Sequence, residues 1–101
     1  MEDPKIVPEE TRDAHTFTLR VPGAGLFNRN SAKVKVFKLL DKKNLHITVR
    51  RKLSRDDGTS QHVTSDYISP LEGIPQSAID GMLVDYSVGV VKVVFPKGPP
   101  P

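Results

Sequence analysis

The sequence predicts an all-β domain, and three observations lead to this prediction. Valine is abundant and alanine is sparse, and the leucines are too irregularly spaced for long amphipathic helices. Short segments in which apolar and polar residues alternate recur along the chain, as expected for half-buried strands. Nine prolines and seven glycines punctuate these segments. A chain of 101 residues is the size of one domain, and its pattern predicts five or six strands and no long helix.

The most informative stretch covers residues 70–97. Within it, residues 88–95 form a near-continuous apolar run around Gly89, which is typical of a strand buried on both faces. Pro96 lacks an amide hydrogen and is expected to end that strand. Residues 85–87 are expected to form a tight connection in front of it.

The segment before this strand is expected to be irregular. Residues 69–75 contain two prolines and a glycine, which exclude a regular helix or strand. Gln76–Asp80 can make one helical turn, with its first amides capped by Ser77 or by the preceding turn.

The first part of the chain predicts an arm, a strand and a loop. Residues 1–14 carry many charges and one apolar pair, which predicts a flexible acidic arm. Residues 15–21 alternate between apolar and polar side chains until a Pro-Gly pair ends the strand. The glycines and asparagines of residues 23–32 predict a loop, and we expect Leu26 and Phe27 to be tucked under the sheet.

The middle of the chain predicts a hairpin followed by a polar strand. Residues 33–40 alternate, residues 41–44 form a polar connection, and residues 45–50 alternate again. Phe37 is unusual because it lies on the basic face of its strand. After an Asp-Gly turn, residues 61–68 are rich in β-formers but polar, which is typical of an edge or interface strand.

The formal net charge of +3 conceals an uneven distribution. Residues 29–55 carry ten basic side chains and one acid, Asp41, whereas both flanks are acidic. This asymmetry fits a polyanionic partner, but a solvated face or self-association is favoured over nucleic acid by about two to one on charge pattern alone. Only Phe37 supplies an aromatic ring among these charges, so a platform for stacking nucleic-acid bases is poorly supported.

The side-chain inventory argues against catalysis and metal binding. The chain has no cysteine, which excludes disulfides, thiolate zinc sites and cysteine nucleophiles. His15, His46 and His62 fall on different predicted elements, and none has a second ligand at metal-binding spacing. Residues 56–58 place two carboxylates in a turn, which are too few oxygen ligands for a calcium loop. We therefore expect no enzyme activity, no metal and no cofactor.

The sequence also predicts a cytoplasmic protein without a membrane partner. No apolar run reaches the roughly 18 residues of a membrane-spanning helix. The first residues are acidic, where a secretory signal would be basic. The lack of cysteine is compatible with a reducing compartment.

A family pattern emerges from the proline-rich turn and the strand after it. Residues 70–74 read PLEGI, and Ile79 follows five residues later. Residues 81–83 and 89–91 come next, and the Pro-Lys pair at positions 96 and 97 closes the segment. In this order the chain resembles the α-crystallin domain of small heat shock proteins. The resemblance covers residues 15–97.

This resemblance implies an immunoglobulin-like antiparallel β-sandwich of the α-crystallin/CS type over residues 15–97. Residues 1–14 would then be the flexible arm and residues 98–101 a proline tail. The implied function is that of an ATP-independent chaperone, a holdase that binds unfolding client proteins and assembles with itself as a dimer or small oligomer. Two family features are missing: residues 61–68 contain no interface arginine, and no Ile-x-Ile tail follows the last strand.

The resemblance also implies two binding surfaces. A client groove would lie between the strands around residues 33–40 and 79–84, and its candidate residues are Val34, Val36, Phe37, Met82 and Leu83. The polar strand is the candidate dimer interface, and its candidate residues are Gln61, Val63, Ser65 and Tyr67. The alternatives are a CS-type protein-interaction or co-chaperone module, a polyanion-binding β domain, and a structural domain from a longer protein.

Overall fold

The computed structural model describes residues 4–22 and 24–98, apart from the side chain of Leu53. In these residues the chain forms seven strands and one short helix. The strands make two antiparallel sheets, which confirms the predicted all-β class and is compatible with a β-sandwich. The elements are β1 (Ile6–Glu10), β2 (Ala14–Arg20), β3 (Ala32–Leu39), β4 (Lys42–Ser54), β5 (Ser60–Pro70), α1 (Gln76–Asp80), β6 (Leu83–Ser87) and β7 (Val90–Pro96).

The two sheets differ in size. The four-stranded sheet has the order β1-β2-β7-β6, and the three-stranded sheet has the order β3-β4-β5. Strand β1 contacts β5 across the two sheets. The other two edge strands, β6 and β3, therefore lie toward the opposite side of the molecule.

The core lies between the sheets, because strand periodicity turns alternate side chains inward. The buried strand residues at its centre are Phe17 and Leu19 of β2, Leu45, Ile47 and Val49 of β4, and Val91, Val93 and Phe95 of β7. The rings of Phe17 and Phe95 pack edge to face with centroids 5.6 Å apart, a geometry that aromatic quadrupoles favour. Leu71, Ile74 and Ala78 extend the core from the segment after β5.

Strand β7 is central in its sheet but is buried on one face only. Lys92 is exposed, and Val90 and Val94 are half-buried. The prediction of a strand buried on both faces was wrong, because the three-stranded sheet covers only the inner face. The strand ends at Pro96 as predicted.

The N-terminal segment contains a strand where the sequence predicts a flexible arm. Strand β1 pairs with β2, and Ile6 is buried opposite Leu19. One inward apolar residue is sufficient here, because β2 already offers an edge of unpaired backbone groups. Residues 6–10 thus belong to the sheet. Residues 1–3 of the expected arm and residues 99–101 of the expected tail lie outside the described residues.

The loop between β2 and β3 buries one of the two apolar residues expected to be tucked under the sheet. Phe27 is buried, whereas Leu26 is 67% exposed. Leu26 instead forms an isolated antiparallel bridge with Val88. The expectation was therefore right for Phe27 and wrong for Leu26, because adjacent residues of an extended segment point to opposite sides.

The prediction of a tight connection at residues 85–87 was wrong, because these residues belong to strand β6. These residues pair with β7, and the hairpin turn is Val88-Gly89.

The single helical turn α1 forms as predicted, but no side chain caps it. The carbonyl of Pro75 accepts hydrogen bonds from the amides of Ala78 and Ile79 instead.

Strands β4 and β5 extend beyond the rest of their sheet. The pairing of β3 with β4 ends at Val49, whereas β4 continues to pair with β5 as far as Ser54. At the tip, Asp57 accepts hydrogen bonds from the amide and hydroxyl of Thr59 at 2.9 and 2.6 Å, and these bonds lower the pKa of Asp57. The overhanging pair of strands, residues 50–64, is called the ribbon below.

The turn between β3 and β4 is tighter than the predicted connection over residues 41–44. Leu39 pairs with Lys42, so the turn is Leu40-Asp41, with φ angles of 50° and 65°. Positive φ at both central residues defines a type I′ turn, which suits Asn and Gly far better than leucine. Leu40 is 88% exposed and holds an unfavourable backbone conformation.

Substitution of Gly89 is expected to destabilise the fold more than substitution of Gly58. Both glycines have positive φ, but a Cβ at Gly89 would lie 3.0 Å from the carbonyl oxygen of Val21, whereas one at Gly58 meets nothing within 4 Å. Gly58→Ala should cost about 1 kcal/mol of unfolding free energy, and Gly89→Ala about 2 to 3 kcal/mol. Urea denaturation of both variants measures the difference, and equal losses would contradict this account.

Leu40→Asn is expected to stabilise the protein by about 0.5 to 1 kcal/mol, because asparagine adopts positive φ at lower cost than leucine. The matched control is Leu39→Asn, an exposed change one residue earlier on regular strand backbone. That control should give no gain. Urea midpoints measure both effects, and a lower midpoint for Leu40→Asn would refute the turn assignment.

Candidate functional site

The edge strands β3 and β6 lie toward the side of the molecule opposite the contact between β1 and β5, and we call this the open side. Each of these strands has a sheet neighbour on one flank only, so the backbone groups on its other flank are free to pair with a further strand. The side chains that these strands present decide what such a partner would meet.

On β3, the candidate groove residues point in two directions. Val34 and Val36 are half-buried and pack against the core. Phe37 lies on the opposite face of the strand, where its ring packs edge to face on His46 with centroids 5.9 Å apart. The structure therefore separates Phe37 from the two valines.

The candidate groove residues Met82 and Leu83, which lie before and on β6, also differ in exposure. Met82 is half-buried and packs against the core, whereas Leu83 is 60% exposed. Val84 and Tyr86 alternate with Leu83, are half-buried, and pack against the same core as Met82. The sequence prediction missed this pair because it placed residues 85–87 in a turn, although the 82, 84, 86 alternation was a readable signal.

Five half-buried apolar side chains thus lie on these two edge strands or, for Met82, directly before β6. We call this set the apolar edge, and its members are Val34, Val36, Met82, Val84 and Tyr86. Their partial exposure leaves apolar surface next to unpaired strand backbone, which is a combination that can accept an extended peptide.

Strand β5 is the edge strand on the other side of the three-stranded sheet, as its polar sequence predicts. Val63, Ser65 and Tyr67 share the inward face and are half-buried, whereas Gln61 is exposed. Tyr67 packs against the core. The role of this strand as a dimer interface stays a prediction.

The outer face of the three-stranded sheet is basic. Alternation places six cationic or imidazole side chains there, and they are Lys33, Lys35, His46, Arg50, Lys52 and His62. We call this surface the basic face. On β3, Lys33 and Lys35 alternate with the half-buried Val34 and Val36, and on β4 Arg50 follows the buried Val49, so these charges stay out of the core.

One carboxylate lies within the basic face. Oδ1 of Asp66 accepts hydrogen bonds from Nε2 of His46 and from the hydroxyl of Thr48, both at 2.9 Å. These two bonds, first that of His46 and then that of Thr48, lower the pKa of Asp66. Because an ionised carboxylate only accepts hydrogen bonds, Nε2 of His46 carries the hydrogen.

A separate apolar cavity of about 550 Å³ lies between the β3–β4 turn and the segment after β5. Its lining includes the exposed residues Leu39 and Leu40 and the buried residues Leu71 and Ile74. The sequence prediction missed this cavity, because it depends on a turn and a loop that lie far apart in the chain.

Two classes of site have no structural support in the described chain. No group of three or more His, Cys, Asp or Glu side chains is placed there to hold a metal ion. None of the helices in the part that the structure describes has the length and apolarity to cross a membrane.

Comparison with known proteins adds no family assignment. A scan against protein-family models and a search of curated proteins both found no match for this chain. The resemblance to the α-crystallin domain therefore rests on the sequence pattern.

Asp66→Asn is expected to change the pH dependence of stability. The folded state lowers the pKa of Asp66, so this group stabilises the fold above its unfolded pKa of about 4 and loses that contribution as the pH falls through its lower folded value. The wild-type protein should be more stable than the variant at neutral pH, and the difference should shrink below about pH 4.

Urea midpoints of both proteins across this pH range measure the effect. Asp85→Asn is the control, because Asp85 is exposed and accepts no side-chain hydrogen bond in the described chain. A difference between wild type and Asp66→Asn that stayed constant with pH would show that the His46 and Thr48 bonds do not favour the ionised carboxylate.

Proposed function

We propose that this protein is an ATP-independent holdase of the small heat shock type, which acts in the cytoplasm and binds unfolding proteins through the apolar edge. The observation that carries the proposal is the position of the two edge strands β3 and β6 on one side of the molecule, with half-buried apolar side chains on both. The resemblance implies a client groove between residues 33–40 and 79–84; residues 33–39 are in β3 and residues 83–84 begin β6, whereas residues 79–80 end helix α1.

The chemistry of unfolding clients fits this surface. A denaturing protein exposes extended segments with alternating apolar side chains, and such a segment can add to a free strand edge by backbone hydrogen bonds. Its apolar side chains would then cover the partly exposed valines of β3 and the Met82, Val84 and Tyr86 side chains. Binding of this kind needs no nucleotide, since it only withdraws unfolded chains from aggregation.

Self-association would use the other side of the molecule. Strand β5 is a free edge with eleven residues, and its sequence is polar enough to avoid competing for apolar clients. We propose that two copies pair along β5 as a dimer, which leaves both apolar edges open. Native mass in solution tests this assembly: a dimer supports it, and a monomer at micromolar concentration contradicts it.

Val84→Thr is expected to weaken protection of a client. Val84 is a half-buried member of the apolar edge on β6, and threonine keeps its shape while replacing one methyl group with a hydroxyl, which should cost about 1 kcal/mol of apolar contact with a client. The variant should need a severalfold higher molar ratio than wild type to suppress light scattering by a heat-denatured or reduced client protein, with no nucleotide added.

Val7→Thr provides the matched control, because it makes the same change at an exposed valine on β1, an edge strand of the opposite side. It should protect the client as well as wild type does. Absence of protection by the wild-type chain at several molar equivalents would refute the holdase function. Equal loss in both variants would refute the assignment of the function to the apolar edge.

A further inference from the structure

A small polar cavity of about 200 Å³ opens on the basic face, where the loop before β3 meets the three-stranded sheet. Its walls come from the loop and from all three strands of the sheet. The lining residues are Asn30, Ser31, Lys33, Thr48, Arg50 and Thr64. All of them can donate a hydrogen bond, and none is acidic.

Strand register fixes how these side chains are arranged. Lys33 is paired with Thr48, and Arg50 is paired with Thr64. The amide of Arg50 donates to the carbonyl of Ser31 at 2.7 Å, which places Ser31 beside Arg50. Paired side chains lie about 5 Å apart and diagonal neighbours about 7 to 8 Å apart, so two cations stand on a diagonal with hydroxyl groups between them.

The two cations lack internal partners. In the described chain, neither Lys33 nor Arg50 forms an ion pair, and their side chains donate no hydrogen bond to another residue. The nearest carboxylate on this face belongs to Asp66, which is paired with Thr48. It already accepts bonds from two side chains and does not line the cavity.

The loop wall is held in place by its own hydrogen bonds. Oδ1 of Asn28 accepts from the amides of Asn30 and Ser31 at 2.7 and 3.1 Å, and the amide of Asn28 donates to Oγ of Ser31 at 2.9 Å. These bonds fix the backbone of residues 28–31, which carries the side-chain amide of Asn30. A ligand would therefore meet a wall that needs little ordering on binding.

We propose that this cavity binds a phosphoryl group, either as inorganic phosphate or as a phosphate monoester. A phosphoryl group near neutral pH carries about two negative charges and three strong acceptor oxygens. These match one guanidinium, one ammonium, the side-chain amide of Asn30 and the hydroxyl of Thr64. A carboxylate ligand offers only one charge and two oxygens. The site is independent of the apolar edge, because it lies on the outer face of the sheet.

The surroundings of the cavity favour the approach of anions. A second cavity shares Asn30, Ser31 and Arg50 with it and is also lined by Arg51, Lys52 and His62. Neighbouring cations of one sign raise the local concentration of an anion and speed its association. They would not replace the direct contacts of Lys33 and Arg50.

The test is a titration of the ¹⁵N-labelled full chain, followed by amide NMR shifts in a phosphate-free buffer held at constant ionic strength. Inorganic phosphate and phosphoserine are the two ligand arms, and acetate is the singly charged comparison. Saturable shifts are expected at the amides of Asn30, Ser31, Thr48, Arg50 and Thr64. A lower dissociation constant for phosphoserine would identify a phosphate ester as the ligand class, and a lower one for inorganic phosphate would identify the free ion.

Two pairs of variants test the residues. Lys33→Gln and Arg50→Gln should each weaken phosphate binding by roughly tenfold, because each removes a charged hydrogen bond. The controls Lys38→Gln and Arg20→Gln remove the same charges from exposed positions outside the cavity and should leave the affinity within about twofold, the effect expected of a distant screened charge.

Three results would overturn the proposal. Acetate could produce the same saturable shifts as phosphate, or the control variants could weaken binding as much as the cavity variants. Absence of a saturable shift with either phosphate ligand would also overturn it, and an oligonucleotide that then shifts amides along the whole ribbon with steep salt dependence would assign the basic face to a polynucleotide backbone.

Discussion

The packing of strand β4 against the β2–β7 pair is the interaction on which the other features depend. Leu45, Ile47 and Val49 are fully or almost fully buried between the sheets, and the register of β4 therefore cannot slip by one residue without exposing all of them. The same register sends the alternate residues of β4 to the outer face. The core thus determines which surface is basic and which strands become edges.

The sequence predicted the all-β class and most strands because inward and outward residues alternate visibly. It failed where a strand has too few apolar residues to stand out, as in β1, where Ile6 alone is buried. It failed again at residues 85–87, because Asp85 and Ser87 resemble turn residues although they simply face solvent beside Tyr86. The β3–β4 turn was misplaced because leucine at a positive φ angle contradicts the ordinary preferences of turns.

The candidate surfaces were predictable to different degrees. Val34, Val36 and Met82 could be named from the resemblance, and the structure packs them against the core, as it does Val84 and Tyr86. The side chains of Phe37 and Leu83 point elsewhere, since one-residue offsets on a strand reverse direction. The cavity proposed to bind a phosphoryl group was not predictable, because a strand register that composition does not reveal joins Lys33 to Thr48 and Arg50 to Thr64.

The ribbon is expected to be less stable against local opening than the rest of the molecule. Beyond Val49, β4 has a strand neighbour on one flank only, β5, and a two-stranded ribbon without a third strand is marginally stable in water. Local opening of such a unit can occur far more often than global unfolding. Arg51, Lys52 and Arg55 therefore sit on a segment that can fray and re-form while the sandwich stays closed, so amide hydrogen exchange would report the two parts as separate cooperative units.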